Sequence, residues 1–242
     1  MKQATGSNSA TPSKEMSIRL RSGGLSFSAY SPSVNESFFY RDIEFDRTKP
    51  YVSSLKECFF ENDFLTWFYK QVNVVCVTPQ YTLVPKEVFQ EKQKAELLAF
   101  TFSSPEGRCL SNELKDEPAE LVFGVDEEVY EFCSRSLVNP RFVHHVSPLL
   151  SLWKKQSRLP RQLYVVLHRR RMDVACYAQG NLLFVNSFEY EHTDDILYYI
   201  LYVWKQAGMD QQKDQLRLFG DVPLRSEITN TLRNYLQYID PQ

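Results

Sequence analysis

An internal repeat constrains this chain more than any other feature of its sequence. Segments 17–20 and 25–30 align without a gap with segments 164–167 and 172–177. After each copy the pattern continues as a strand, a helix, a strand and a helix. Few folds are built from a duplicated unit of this kind, so the repeat predicts an α/β protein made of two related domains.

Length and composition agree with a globular protein of one or two domains. The chain has 242 residues, of which 43% are hydrophobic and 24% charged, and a domain typically takes roughly 150 residues. A chain of this length can bury a substantial core without disulfides or structural metals. The chain has a net charge of −2. Nucleic-acid-binding proteins typically carry an overall positive charge, so this value argues against that class.

The cysteines and the N-terminal segment favour a cytoplasmic protein. Five cysteines, without a C-x-x-C motif, predict reduced and buried thiols rather than a disulfide framework or a zinc site. Residues 1–15 are rich in small polar residues and lack the apolar core of a signal peptide, so they predict a disordered tail. The longest apolar run, 196–204, is about half the length needed to span a bilayer, and no membrane span is predicted.

A short polar joint that contains Pro160 separates the two predicted domains, which cover residues 16–157 and 161–242. In the first domain, the pattern predicts a long helix over 50–70 and a loop or small insertion over 103–118. In the second domain, it predicts a helix over 193–207 and a last helix over 225–238.

Segments 18–27, 81–85 and 164–183 carry a resemblance to a known family. With these residues the chain resembles the small bacterial family called domain of unknown function 3822, in the actin-like ATPase superfamily that includes actin and the sugar kinases. The resemblance implies two duplicated ribonuclease-H-like domains in an actin-like ATPase fold, which face each other across a nucleotide cleft. It implies little about activity.

The resemblance also implies where a nucleotide would bind. In the superfamily, backbone amides of two hairpin turns hold phosphates, and an acid at each turn holds magnesium and its water. The first turn, within 19–24, offers Ser22, Gly23 and Gly24 but no acid. The second turn, 167–171, offers the run His168, Arg169, Arg170 and Arg171 where glycine and aspartate are expected. The adenosine loop offers a single glycine, Gly220, followed by Asp221.

The absence of both acids determines the predicted function. Phosphoryl transfer without a metal forgoes its main electrostatic stabilisation, so the sequence favours a pseudo-enzyme without catalytic residues, metal or cofactor. Such a protein would act as a scaffold that binds an unidentified protein partner. The alternative is an ATPase or phosphotransferase that binds ATP with Ser22, Gly23 and Gly24 around the phosphates and Arg169 or Arg170 in place of the metal charge.

Two further features allow more than one interpretation. The stretch 154–171 is the only concentrated basic region of the sequence. Either it binds an anionic ligand, a nucleic-acid backbone or an acidic partner, or it is a solvated joint and turn. Its basic residues are Lys154, Lys155, Arg158, Arg161, Arg169, Arg170 and Arg171. The helix 193–207 is apolar nearly all round, with Tyr198 and Tyr202 on one side; it is either buried against more than one layer or presents an aromatic surface to a partner.

Overall fold

The computed structural model describes residues 14–30, 38–105 and 107–242 of the chain. The chain forms two compact units, Met1–Asn112 with Glu120–His145 and Glu113–Ala119 with Val146–Gln242. The sequence places the helix after residue 145 in the first domain, whereas this division groups it with the second unit. Of the predicted tail 1–15, residues 1–13 lie outside the described residues.

The main sheet of the first unit is built around its first strand. The elements in chain order are β1 (Glu15–Arg21), β2 (Gly24–Tyr30), β3 (Phe39–Glu44), α1 (Tyr51–Glu61), β4 (Gln71–Cys76), β5 (Tyr81–Pro85), α2 (Lys94–Thr101), β6 (Arg108–Glu113), β7 (Ala119–Val125), α3 (Glu127–Ser136) and β8 (Pro140–His144). The sheet has the order β3-β2-β1-β4-β8. Its first three strands are antiparallel, whereas β4 and β8 run parallel to β1. A smaller sheet, β5-β7-β6, lies between β4 and α3 in the sequence.

The second unit repeats this arrangement. Its elements are α4 (Val146–Gln156), β9 (Arg161–Leu167), β10 (Arg171–Ala178), β11 (Asn181–Glu189), α5 (Thr193–Gln206), β12 (Gln215–Gly220), α6 (Val222–Leu232) and β13 (Tyr238–Pro241). The sheet order β11-β10-β9-β12-β13 matches that of the first unit strand for strand. The predicted duplication of a β-β-β-α-β-α unit is therefore confirmed.

Side chains cover both faces of the second sheet. On one face, α5 and α6 pack against apolar residues that alternate along β9, β10 and β12. On the other face, the indole of Trp153 in α4 stacks on the ring of Tyr164, with centroids 5.2 Å apart. The hydroxyl of Tyr177 donates to the carbonyl of Leu150 in α4, at 3.0 Å. Because both faces are covered, β9 and β10 are almost entirely buried.

All five cysteines are free thiols, and four of them are buried. Burial raises the pKa of Cys133 to about 12 and that of Cys176 to about 11, which leaves both thiols protonated and unreactive near neutral pH. Cys109 is half-buried. The prediction of buried, unpaired thiols is thus confirmed for Cys58, Cys76, Cys133 and Cys176.

The predicted helix 50–70 is correct only in its first half. Helix α1 ends at Glu61, and 63–66 form a separate 3₁₀ turn. The break occurs because Asn62 leaves the helical conformation and its side-chain amide donates to the carbonyl of Cys58, at 2.8 Å. Trp67 and Phe68, which the pattern placed on the apolar face of this helix, are exposed.

Two edge strands were missed. The predicted loop 103–118 contains β6, which pairs with β7. The predicted last helix 225–238 is instead α6, from Val222 to Leu232, followed by β13, which pairs in parallel with β12. The helix begins earlier because the Asp221 carboxylate accepts from the backbone N–H of Leu224, at 3.1 Å, and caps the helix. Within residues 14–30, 38–105 and 107–242, no helix is long and apolar enough to cross a lipid bilayer.

Candidate functional site

An ion-pair network lies beside the first hairpin turn, which joins β1 and β2. The guanidinium of Arg21 lies 2.6 Å from Oδ1 of Asp42 and 2.5 Å from Oε1 of Glu44, both on β3. Burial lowers the pKa of Arg21, but the hydrogen bonds and charges of Glu44 and Asp42 outweigh this effect and raise it overall. The two carboxylates nearest this turn are therefore already paired within the unit.

The glycines of the first turn differ in what they contribute. A Cβ on Gly24 would clash with the carbonyl oxygen of Ile43, so this glycine lets β2 lie close to β3. A Cβ on Gly23 would meet only Oε2 of Glu44, at 3.6 Å, which is ordinary contact. The carbonyl of Gly23 accepts from the N–H of Phe45, at 2.9 Å. Of the candidates in this turn, only Gly24 has a strict steric requirement, and strand packing imposes it.

The second hairpin turn, between β9 and β10, is held by backbone hydrogen bonds. The N–H of His168 donates to the carbonyl of Arg171, at 2.8 Å, and the N–H of Tyr190 donates to the carbonyl of Arg170, at 3.1 Å. The hydroxyl of Tyr190 donates to the carbonyl of His168. Burial, and to a smaller extent the charge of Asp221, raise the pKa of Tyr190, which keeps this hydroxyl protonated.

Arg169 and Arg170 are the exposed side chains of the second turn. Across the described ranges, neither guanidinium forms a side-chain hydrogen bond or an ion pair with another residue. They therefore present two positive charges on a turn whose backbone is fixed.

A buried acid lies behind this turn. Asp173 on β10 is 0% exposed. Its Oδ1 accepts from the hydroxyl of Ser187, at 2.6 Å, and its Oδ2 lies 2.6 Å from Nε2 of His168. The Nε of Arg171 lies 3.6 Å from Oδ1. Because a buried carboxylate is costly unless it is hydrogen-bonded, these contacts explain why the acid is tolerated there.

The sequence pattern predicted no acid at the second turn, so Asp173 is a residue of this region that was missed. The residue lies inside the predicted strand 172–177, in which it is the only charged side chain. A lone aspartate within an apolar strand is itself a signal, because such an acid must find partners when the strand is buried.

Gly220 ends β12, opposite Leu167 at the end of β9. Its backbone has φ +112°, and a Cβ would clash with the carbonyl oxygen of Leu167. The next residue, Asp221, caps α6. Contact between strands and helix capping therefore account for both residues without a ligand.

The carboxylates at the two turns do not fit the magnesium–nucleotide chemistry that the resemblance implies. Magnesium binds oxygen ligands that are free to coordinate it. Asp42 and Glu44 are paired with Arg21, and both oxygens of Asp173 are in hydrogen bonds within the second unit. These three carboxylates thus stabilise the hairpins.

The basic stretch 154–171 is divided by its contacts in the second unit. Lys154 lies 3.2 Å from Oε2 of Glu117, and Arg161 donates to the carbonyl of Gly208. Arg171 lies against Asp173. Four basic side chains of the stretch remain exposed, namely Lys155, Arg158, Arg169 and Arg170.

The order of strands in each unit, three antiparallel and two parallel, defines the class of protein. It is the duplicated arrangement of the actin-like ATPase fold. The profile of the family described as "Protein of unknown function (DUF3822)" matches residues 3–239, so the chain belongs to this family. The family and fold predicted from the sequence are both confirmed.

Solved structures agree with this assignment. A protein of unknown function with an actin-like ATPase fold from Bacteroides thetaiotaomicron is 32% identical, with a TM-score of 0.89, over 95% of this chain and 91% of that chain. A chain of the PilM-PilN type IV pilus biogenesis complex is 13% identical, with a TM-score of 0.50, over 94% of this chain and 88% of that chain. The second likeness concerns the fold alone. A search of the curated proteins finds no match.

Alanine substitutions should separate the structural glycines from the tolerant one. Gly24→Ala and Gly220→Ala should each lower the free energy of unfolding by more than about 1 kcal/mol, because the new Cβ would clash with a carbonyl oxygen. Gly23→Ala is the matched control and should change it by less than about 0.5 kcal/mol. Urea denaturation measures all three, and wild-type stability of Gly24→Ala or Gly220→Ala would contradict the packing role.

Asp173→Asn should lower the free energy of unfolding by about 1.5–3 kcal/mol, because His168 and Ser187 lose a charged acceptor. Ser187→Ala should cost less, since the carboxylate keeps His168. Asp42→Asn, at an exposed ion pair, serves as the control and should cost less than about 1 kcal/mol. If urea denaturation finds Asp173→Asn as stable as the wild type, the buried acid does not stabilise the second turn.

Proposed function

We propose that this protein is a non-catalytic member of the actin-like ATPase fold that works by binding another protein. The observation that carries the proposal is that the carboxylates at both hairpin turns are bound by side chains of their own unit. Asp42 and Glu44 pair with Arg21, and Asp173 is bound by Ser187 and His168.

Energetics support this proposal. To coordinate a metal, Asp173 would have to give up hydrogen bonds that are each worth about 1.5–3 kcal/mol when one partner is charged. Without a metal, a phosphoryl transfer loses the largest source of charge stabilisation in its transition state. The turns are therefore better suited to a stable scaffold than to catalysis.

A surface for a partner is available at the edge of the first sheet. Within the described residues, β3 is one of the two edge strands of this sheet, and β8 is the other. Phe38, Phe39 and Tyr40 are consecutive and exposed. The ring of Phe39 lies 5.4 Å from that of Phe27 in the sheet. An edge strand has unpaired backbone donors and acceptors, and with exposed aromatic rings it is suited to add an extended segment of another protein.

The fold offers an analogy for such a role. The PilM-PilN structure is a complex of a chain with this fold and a second protein. A shared fold carries no function by itself, so the proposal depends on the residues described above.

A second candidate function is the binding of phosphate groups, from a nucleotide or a polyanion, at the second turn. The observation that favours it is the exposure of Arg169 and Arg170, which have no side-chain partner in the described part of the chain. Arginine pairs well with phosphate oxygens. In this function the arginines supply positive charge without a metal.

Nucleotide should leave the unfolding temperature of the wild-type chain unchanged at millimolar ATP or ADP, with magnesium or with EDTA. A bound ligand at about a hundred times its Kd adds roughly 2.7 kcal/mol, which is a shift of several degrees. A shift that requires magnesium would overturn the proposed function. A shift that survives EDTA, disappears in Arg169→Glu/Arg170→Glu and persists in the control Lys155→Glu/Arg158→Glu would establish the second candidate.

Partner binding should depend on the β3 edge. In cross-linked extracts of the cells in which this protein naturally occurs, the wild-type chain and a Phe100→Arg control should capture the same partner protein. Phe100 is an exposed aromatic residue on α2. Tyr40→Arg should recover at least tenfold less of that protein by quantitative mass spectrometry, because a charged side chain then replaces the ring on β3. Equal recovery by both variants would contradict a partner site at this edge.

A further inference from the structure

Helix α5 has one face in the core and one face in solvent. Its residues Ile196, Ile200 and Trp204 pack against the second sheet. On the opposite side Tyr198 is 61% exposed and Tyr202 is 47% exposed. Their rings stack with centroids 5.8 Å apart and an interplanar angle of 20°. The helix that the sequence describes as apolar nearly all round therefore presents a pair of tyrosines to solvent.

Rings beneath the surface support this pair. Tyr198 makes an edge contact with Tyr199, at 5.4 Å between centroids, and Tyr199 stacks on Phe188 of β11, at 4.6 Å. Phe188 and Tyr199 are partly buried against the core of the unit. The exposed rings are thus oriented before any partner binds, which reduces the entropy lost on binding.

Opposite charges lie at the two ends of the tyrosine pair. Asp194 is one helical turn before Tyr198, and Lys205 is one turn after Tyr202, so all four side chains share a face of α5. Both charged residues are exposed. Among the residues that the structure describes, neither forms an ion pair. The midpoint of the two charges and the midpoint of the two tyrosines both fall close to Ile200.

This shared midpoint makes the face complementary to itself. If a second α5 is laid antiparallel across the first about Ile200, Asp194 of each copy faces Lys205 of the other, and Tyr198 of each faces Tyr202 of the other. A parallel arrangement would place like charges together. Each charge lies about 8 Å along the helix from the two-fold axis, within reach of its partner at a crossing angle of about 20°.

We propose that this face of α5 binds a second copy of the chain in an antiparallel, two-fold symmetric dimer. When a two-fold axis relates the two copies, the same surface of each copy contributes to the contact. This surface forms both ion pairs and brings four tyrosine rings together. An unrelated partner would need a positive charge opposite Asp194 and a negative charge opposite Lys205. A second copy in the antiparallel orientation already has this arrangement. This surface belongs to the second unit, whereas the β3 edge belongs to the first.

The contact is small, so the dimer exchanges rapidly with monomer. A 14-residue helix is about 21 Å long, and one helix pair buries less than the roughly 1,200 Å² of a standard stable interface. We expect a dissociation constant in the micromolar range and a dimer that weakens as salt screens its ion pairs.

Sedimentation velocity of the full chain across a concentration series tests the proposal. The mean mass should rise with concentration from the monomer value of 28.4 kDa towards twice that value. Lys205→Glu should weaken association at least tenfold, and so should Asp194→Lys, because each places like charges opposite one another. The charge swap Asp194→Lys/Lys205→Glu should restore association, since the pairs are re-formed in reverse.

One control variant and one variant with measured thermal stability separate the loss of association from a loss of folding. Lys56→Glu changes an exposed lysine on α1 by the same charge and should associate like the wild type. Tyr198→Ser/Tyr202→Ser removes only exposed rings and should abolish association while the unfolding temperature stays close to that of the wild type. A wild-type chain that remains monomeric at all concentrations would overturn the proposal, as would a charge swap that fails to restore association.

Discussion

Each unit depends on a central strand that pairs on both sides. Strand β1 pairs antiparallel with β2 and parallel with β4, and β9 pairs in the same way with β10 and β12. This pairing brings the hairpin turn and the end of the parallel strand to one edge of the sheet. Near this end of each sheet, neighbouring backbones lie so close that Gly24, against β3, and Gly220, against β9, have no room for a side chain. Glycines at these positions are needed to build the sheet, whatever else they contact.

At this end of each sheet, acidic side chains near the hairpin turn are paired within their own unit. Arg21 forms ion pairs with Asp42 and Glu44, and Asp173 forms hydrogen bonds with Ser187 and His168. In an enzyme of this superfamily, acids at the turns would have to remain available to a metal. Here the acids make hydrogen bonds and ion pairs within their own units, and the proposed binding role is based on these contacts.

Sequence patterns succeeded where local preferences and tertiary structure agree. Apolar residues at matching positions of the repeat are buried in both units, as Ile18 and Val165 are, so their pattern was sufficient to predict the duplication. The patterns failed at α1, where Trp67 and Phe68 have helical spacing but are exposed beyond a break at Asn62. They also failed at β6 and β13, because an edge strand is defined by its partner and not by its own apolar residues.

The sequence by itself determined the family, the duplicated fold, the burial of four cysteines and the identity of the turn residues, because each of these is recorded in local composition and spacing. Only the tertiary structure decided what the turn residues contact. Asp173 meets Ser187 because β10 and β11 pair in one register, and a shift of one residue would turn that side chain to the other face. It also decided that Tyr198 and Tyr202 lie in solvent while Ile196 and Ile200 lie in the core, since the sheet covers only one side of α5.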